Sequence, residues 1–202
     1  MRVIVFGATG KTGRHVCRAA LSDGHQVTAF GRSIERLDES GLELYKGDVL
    51  DADSVGRAVA GHDAAIVCLG STGLRDTTTL SAGTRTVVDA MVDQDVKRLV
   101  VMSAAGVHNS WRQIPWTSRL LFRTLLRNLL TDHEAQEAIV EQSPLDWTIV
   151  RAAVLKDEPA TGTCTATNSG PITHINREDV AAFLVDQLGD AMYSRQSISV
   201  TN

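Results

Sequence analysis

Three glycines, Gly7, Gly10 and Gly13, follow directly on the apolar run Val3-Ile4-Val5-Phe6, with Thr9, Lys11 and Thr12 between them. A strand that ends in spaced glycines and passes into a helical pattern lets backbone approach a pyrophosphate, and the N–H groups that open the helix near Lys11 can bind it. The Gly10-Lys11-Thr12 triplet also suggests an ATP-binding P-loop. That pattern needs a glycine five residues before Gly10, where the chain has Val5, so the P-loop reading fails on spacing. The spacing instead suits a dinucleotide-binding turn with one more residue between its first two glycines.

The second apolar run, Gln26 to Phe30, is followed by Gly31-Arg32-Ser33. A site that prefers NAD places Asp or Glu here to accept the ribose hydroxyls, whereas Arg32, with Arg36 four residues on, offers charge-assisted bonds to a 2′-phosphate. NADP(H) is therefore the expected cofactor; the competing reading is two surface arginines solvating a loop. Ser103 stands at the carboxyl end of the most continuous apolar run, Val96 to Met102, where open α/β sheets bind their ligands. Trp111 and Trp116 lie in an irregular polar stretch, 106 to 118, either as an aromatic wall over a ligand or as anchors for the loop. His174 follows the 162–171 loop and either reaches a substrate or is simply exposed. The histidines lack zinc spacing, and Asp132-His133-Glu134 cannot form a metal triad, because neighbouring helical side chains point about 100° apart. No metal site is expected. Neither Ser71 nor Ser103 sits in G-x-S-x-G, which removes a hydrolase elbow.

These residues need a scaffold, and the hydrophobic periods supply one. Strand patterns at 2–6, 26–30, 42–46, 63–69, 96–102, 147–150 and 197–200 alternate with helical patterns at 12–23, up to 60, 78–94, 120–130, 132–142 and after Asn176. Asp51 or Asp53 can cap the second helix, and Asn176 the last, with Asp179 at the reciprocal position. Residues 162–167 read as a short extended segment. Strand-helix-strand units of this length require parallel pairing with right-handed crossovers. The expected fold is α/β: Rossmann-like, doubly wound, a mostly parallel sheet flanked by helices, in a single domain over 1–202 whose part from about 152 to 202 serves the substrate side.

The 24 acids and 20 Lys plus Arg give a formal charge of −4, so no global positive field draws in nucleic acid. No early basic segment leads into a long apolar region, and no apolar run reaches the roughly 18 residues of a membrane helix, so neither a secretory leader nor a membrane span is expected. Cys17, Cys68 and Cys164 are odd in number and lack metal-ligand spacing, and free cytosolic thiols are expected. A cytoplasmic protein follows. The leucine-rich stretch at 120–130, with Arg119, Arg123 and Arg127 opposite, suits burial on the sheet, which makes a monomer the expected state. The same stretch is the surface a dimer would use.

Taken together, Gly7-Ala8-Thr9-Gly10-Lys11-Thr12-Gly13, Arg32, Gly47-Asp48-Val49, Leu69-Gly70, Gly83-Thr84-Arg85, Val101-Met102-Ser103-Ala104, Asp132-His133 and Leu145 to Arg151 resemble the atypical short-chain dehydrogenase/reductase proteins, in the NmrA-like and biliverdin reductase B (flavin reductase) branch. The resemblance covers nearly the whole chain. It implies that Gly7, Thr9, Gly10, Lys11, Thr12 and Gly13 surround the pyrophosphate and that Arg32, Ser33 and Arg36 meet the 2′-phosphate. Asp48 and Val49 would border the adenine, Leu69 and Gly70 the ribose region, and Ser103 the nicotinamide side, with substrate beneath loops 106–118 and 152–174.

The chain departs from the family in one respect. Typical members use Tyr-x-x-x-Lys, whereas here Leu129 lies where the tyrosine would and His133 where the lysine would. Leucine cannot transfer a proton. A conjugated acceptor such as a flavin, quinone or tetrapyrrole asks for little protein-borne proton transfer, so an NADPH-dependent reductase of such small molecules is expected, with Ser103 and His133 as candidate catalytic groups. The alternative is an NADP(H)-binding redox-sensing or regulatory protein with little or no catalysis; a nucleotide-sugar epimerase is a third possibility that the missing Tyr/Lys pair disfavours.

Overall fold

The computed structural model describes residues 1–71, 73, 76–114 and 126–202. In chain order the strands are β1 (Arg2–Phe6), β2 (Gln26–Gly31), β3 (Leu42–Lys46), β4 (Ala64–Val67), β5 (Arg98–Ala104), β6 (Asp146–Ala152), β7 (Val154–Lys156), β8 (Thr165–Thr167), β9 (His174–Asn176) and β10 (Gln196–Thr201). The helices are α1 (Lys11–Ser22), α2 (Ala52–Val59), α3 (Thr79–Asp93), α4 (Arg127–Gln142) and α5 (Arg177–Asp186). The main sheet has the order β3-β2-β1-β4-β5-β6-β10-β8, and β7 pairs with β9 in a separate two-stranded ribbon. All neighbours in the main sheet are parallel except β8, which runs antiparallel to β10 at the edge. The extended segment expected at 162–167 supplies this strand.

Strand alternation divides the core into two layers. Val3 and Val5 of β1 point to one face with α1 and α5, where Val16, Ala20, Val180 and Leu184 pack; Ile4 and Phe6 point to the other with α2 and α3, beside Val55, Val87 and Met91. Leu99 and Val101 join this second layer, and Val100 the first. After β1 the chain moves outward to β2 and β3, then crosses back to β4 on the other side of β1. The reversal leaves a crevice at the carboxyl ends of β1 and β4, the switch point at which such sheets take ligands.

Asp51 caps α2 as expected, accepting from the backbone of Asp53 and Ser54. The helix start at Asn176 differs from expectation. Asn176 occupies the cap position of α5, but its amide donates to the Pro159 carbonyl, and Asp179 accepts from the backbone of Thr161 and Gly162 and from Asn202. The loop before β8 folds over this helix end and takes both side chains, so no reciprocal box forms. The two helices expected at 120–130 and 132–142 are not separated at residue 131: α4 runs unbroken from Arg127 through Asp132 to Gln142. Asp132, a good cap by residue type, instead caps α3, accepting from the Leu80 and Ser81 amides at 2.9 and 3.0 Å. The rest of the leucine-rich stretch, with Arg119 and Arg123, lies outside the described residues. Within the stretch expected to be irregular, His108–Gln113 forms a 3₁₀ helix. No helix among the described residues is long and apolar enough to cross a membrane.

Candidate functional site

The switch-point crevice holds a cavity of about 260 Å³. Gly7, Thr9, Gly10, Arg32, Asp48, Val49, Leu69 and Gly70 line it together, joined by Phe30, Leu50, Cys68 and Thr79. Backbone shapes its floor. Gly7 has φ +80°, and a Cβ there would strike the Cys68 carbonyl; a Cβ on Gly13 would strike the Gly7 carbonyl and lie 2.9 Å from Ala8 Cα. Glycine is thus required where α1 presses on the end of β1, which is the close approach that a pyrophosphate cradle needs. Gly10 is the cap of α1 and makes no side-chain bond, so the first-turn amides point outward without a partner from their own helix. Burial pushes the Cys68 thiol far up, which keeps it protonated and unreactive.

Of the other residues expected at the cofactor, Lys11, Thr12, Gly13, Ser33 and Arg36 do not line this cavity. Ser33 stands at the cap position of the 3₁₀ turn Ile34–Arg36 without a side-chain bond to it, and Arg32 and Arg36 are exposed there. Arg14 ties that turn to the glycine loop, its guanidinium donating to the Arg36 carbonyl at 2.9 Å and to the Thr9 carbonyl at 3.5 Å. Thr12 and Gly13 are buried in α1, whereas Lys11 is exposed and pairs with Asp157 at 2.6 Å.

At the end of β5, Ser103 and His133 come together, both buried, with Ser103 Oγ 3.4 Å from His133 Nδ1. The same Nδ1 lies 3.0 Å from Gln136 Oε1, and Gln136 Nε2 donates to Thr84 Oγ1 of α3 at 3.0 Å. With the Gln136 amide so oriented, Nδ1–H donates to Oε1, which fixes the tautomer and leaves the Ser103 hydroxyl hydrogen for another acceptor. Burial holds the His133 pKa below its ordinary value, so the ring is neutral at neutral pH. His133 is therefore a poor proton donor, and with Nδ1–H committed to Gln136 it offers Ser103 no acceptor at that nitrogen.

Next to this pair lies one the sequence did not signal as functional. Ser103 and Arg151 are register partners across β5 and β6, and one helical turn from His133 is Glu137. Arg151 donates to both Glu137 oxygens, at 3.0 Å from Nε to Oε1 and 2.7 Å from Nη2 to Oε2, and both residues are almost wholly buried. Arg151 Nη1 also donates to Asn109 Oδ1, and His108, with φ +46°, approaches Glu137 Oε2 at 3.6 Å. The loop after β5 is thus tied to the core by a buried charge pair. On the opposite face of the same strand ends, a second cavity of about 360 Å³ is lined by Ala104, Ala105, Ala152, Ala153, Ile114, Leu126, Leu129, Leu130, Val154, Ile172 and Thr173. Leu129, the residue in the tyrosine position, faces this cavity. Trp111 and His174 do not line it, and Trp116 lies outside the described residues.

Residue type alone did not single out Leu50, Thr79, Arg14, Asp157 or Arg177, since each joins the site through tertiary placement. Only Arg14 carried a usable signal, being a basic residue directly after the last glycine of the turn. Among the described residues no group of three His, Cys, Asp or Glu could hold a metal ion.

A family model described as NAD(P)H-binding matches residues 7–191. An uncharacterized chloroplastic protein of Arabidopsis thaliana is 29% identical over 174 residues, which cover 80% of this chain and 61% of that protein. The uncharacterized sugar epimerase YhfK of Bacillus subtilis is 26% identical over 212 residues, covering 100% of this chain and 94% of its own length. Among solved structures, ChuY, an anaerobillin reductase from Escherichia coli O157:H7, superposes with a TM-score of 0.83 at 23% identity over 100% of this chain and 97% of ChuY. A short-chain dehydrogenase/reductase from Veillonella parvula, in complex with NADP, superposes with a TM-score of 0.84 at 19% identity over 100% and 94% of the two chains. At these identities the superpositions show the fold. The glycine-floored crevice and the match over residues 7–191 lead to one conclusion, that the chain belongs to the NAD(P)H-binding family.

Proposed function

We propose that this protein is an NADPH-dependent reductase that passes hydride to a flat conjugated acceptor, a flavin, quinone or linear tetrapyrrole, without a protein proton donor in the tyrosine position. One observation carries the reading: among the described residues, the cavity at the ends of β5 and β6 is lined by Ala, Ile, Leu, Val and Thr alone, with no titratable side chain. NADPH, bound in the switch-point crevice, supplies the hydride. The protein's own contribution is positioning. Gly7 to Gly13 bring backbone to the pyrophosphate, Val49, Leu50 and Leu69 offer apolar walls to the adenine, and Arg32 with Arg36 offers cations to the 2′-phosphate. Ser103, buried next to His133, presents a hydroxyl beside the nicotinamide end. The apolar cavity excludes water from the acceptor, and the proton is drawn from solvent after hydride transfer.

The name of ChuY, an anaerobillin reductase, supports reduction as the reaction. The name of YhfK points instead to sugar epimerisation. A nucleotide sugar asks for hydrogen-bonding walls, for which this cavity offers only the Thr173 hydroxyl among the described side chains.

The test is NADPH oxidation followed at the nicotinamide absorbance band with a panel of flavins, quinones and linear tetrapyrroles. Turnover with a member of the panel is expected, and Arg32→Ala is expected to weaken NADPH about tenfold or more while leaving NADH little changed. Tight NADPH binding with no turnover across the panel would favour a nucleotide-responsive regulatory protein, a reading consistent with the buried, neutral His133.

A further inference from the structure

The C-terminal part of the chain reaches back to the glycine turn through one ion cluster. Asp157, directly after β7, accepts from Lys11 Nζ through Oδ2 and from Arg177 Nε through Oδ1, each at 2.6 Å. Arg177 Nη1 also donates to Thr12 Oγ1 at 3.3 Å. Lys11 and Thr12 open α1 and Arg177 opens α5, so two helix starts and two cations converge on a single carboxylate. The hydrogen bonds from Lys11 and Arg177 hold the Asp157 carboxyl below its ordinary range. α1 brings no acid of its own in its first turn, and the anion at its entrance comes from Asp157 instead. A dinucleotide pyrophosphate in the glycine turn would meet the same Lys11 and Arg177.

We propose that Asp157 is a built-in competitor of the cofactor: in the free protein it neutralises Lys11 and Arg177, and on binding the pyrophosphate takes these two cations from it, which makes Arg177 a pyrophosphate-binding residue contributed from the far end of the chain. The guanidinium fork accepts a carboxylate or a phosphate with the same geometry, and the pyrophosphate carries more charge than the single carboxylate. Asp157 cannot retreat far once displaced. Lys156, just before it, is paired to Asn176 in the β7–β9 ribbon, and Thr161 and Gly162, four and five residues on, are pinned by Asp179. Its charge therefore stays near the bound phosphates and continues to oppose them. The Lys11 and Asp157 side chains are 70% and 56% exposed, so their exchange of partners needs no repacking of the core.

This proposal rests on the reading that the glycine turn holds the pyrophosphate of NADPH. Calorimetric titration of NADPH and, separately, of inorganic pyrophosphate into wild type, Asp157→Asn, Arg177→Gln, the double variant and Asp157→Glu tests it. Asp157→Asn is expected to bind NADPH about three- to tenfold more tightly, Arg177→Gln about tenfold more weakly, and Asp157→Glu close to wild type. The gain from Asp157→Asn should shrink in the Arg177→Gln background, because the contested cation is gone. A thermal scan of each free variant separates these changes from altered folding. Unchanged or weaker binding by Asp157→Asn, in protein that melts like wild type, would overturn the competitor while leaving the cofactor assignment intact; should that variant melt early, a full-sized loss in Arg177→Gln alongside wild-type-like Asp157→Glu still supports it, and an unaffected Arg177→Gln overturns it. Wild type that fails to bind NADPH at all would overturn the assignment and the competitor together.

Discussion

At the ends of β1 and β4 the protein builds the floor of its crevice with backbone, glycine and one helix start, all from the consecutive residues Gly7 to Gly13. At the ends of β5 and β6 it builds with side chains drawn from separate segments: Ser103 from β5, Arg151 from β6, His133, Gln136 and Glu137 from α4, Thr84 from α3 and Asn109 from the loop between. The first region tolerates little added volume and holds few charges inside. The second depends on buried polar groups satisfying each other, so it is sensitive to removal. A region made of backbone breaks when atoms are added; a region made of paired side chains breaks when atoms are taken away.

The largest effect is expected from taking away. Glu137→Ala leaves the Arg151 guanidinium buried with only Asn109 as a side-chain partner, and loss of one member of a buried pair costs about 3–5 kcal/mol. Urea denaturation of the variant should show a midpoint lowered accordingly. Replacing both residues with apolar side chains of similar volume, Glu137→Leu with Arg151→Met, should recover much of the loss, because the desolvation penalty disappears with the charges. A Glu137→Ala variant as stable as wild type would mean that the pair does not hold the loop, and the contrast between the two regions would fail.

Addition should be felt next. Gly13→Ala places a Cβ against the Gly7 carbonyl and 2.9 Å from Ala8 Cα, where both neighbours are backbone and neither can yield cheaply. Overpacking of this kind costs about 1–3 kcal/mol. Because the displaced atoms form the cradle itself, NADPH affinity should fall about tenfold or more, beyond what the stability change alone would bring. Binding that survives unaltered would show that α1 can slide on β1.

The same contrast explains what was legible in the sequence. Spacing of glycines and the alternation of strand and helix patterns are local, and they led directly to the sheet, to the crevice and to the lining residues Gly7, Gly10 and Arg32, while the family resemblance added Thr9, Asp48, Val49, Leu69 and Gly70. The region at the ends of β5 and β6 is made by long-range pairing and was read only in part. Ser103 and His133 could be named because a family pattern places them, yet nothing local announces that Gln136 fixes the ring or that Glu137 and Arg151 are partners. Asp132 shows the limit most clearly. Its type says helix cap, and it is one, but for α3, 52 residues earlier in the chain. Asn176 and Asp179 misled for the same reason, since a cap pattern is only an offer of acceptors that a nearby loop can take first.

The smallest effect concerns the neutral imidazole in the side-chain-built region. Burial lowers the pKa of His133, and burial likewise lowers that of His62, whose Nε2 lies 2.8 Å from Thr28 Oγ1. In the unfolded chain both rings take up a proton near pH ~6.5, whereas in the folded chain they resist it to lower pH. Below about pH 6.5 the unfolded state therefore binds more protons, so stability falls as pH falls, by at most about 1.4 kcal/mol per pH unit for each ring. Above about pH 7 neither ring contributes a slope. The carboxyls whose folded pKa is depressed, Asp157, Asp179 and Glu39, act only when pH falls further, through the carboxylate range near 4, and so do not mask the histidine window. Urea midpoints measured between pH 5 and pH 8 should thus show a decline toward acid that His133→Gln diminishes and His62→Gln diminishes separately. If His133→Gln leaves the decline unchanged, the ring is reached by water in the folded protein and is not the buried, neutral group at the end of β5.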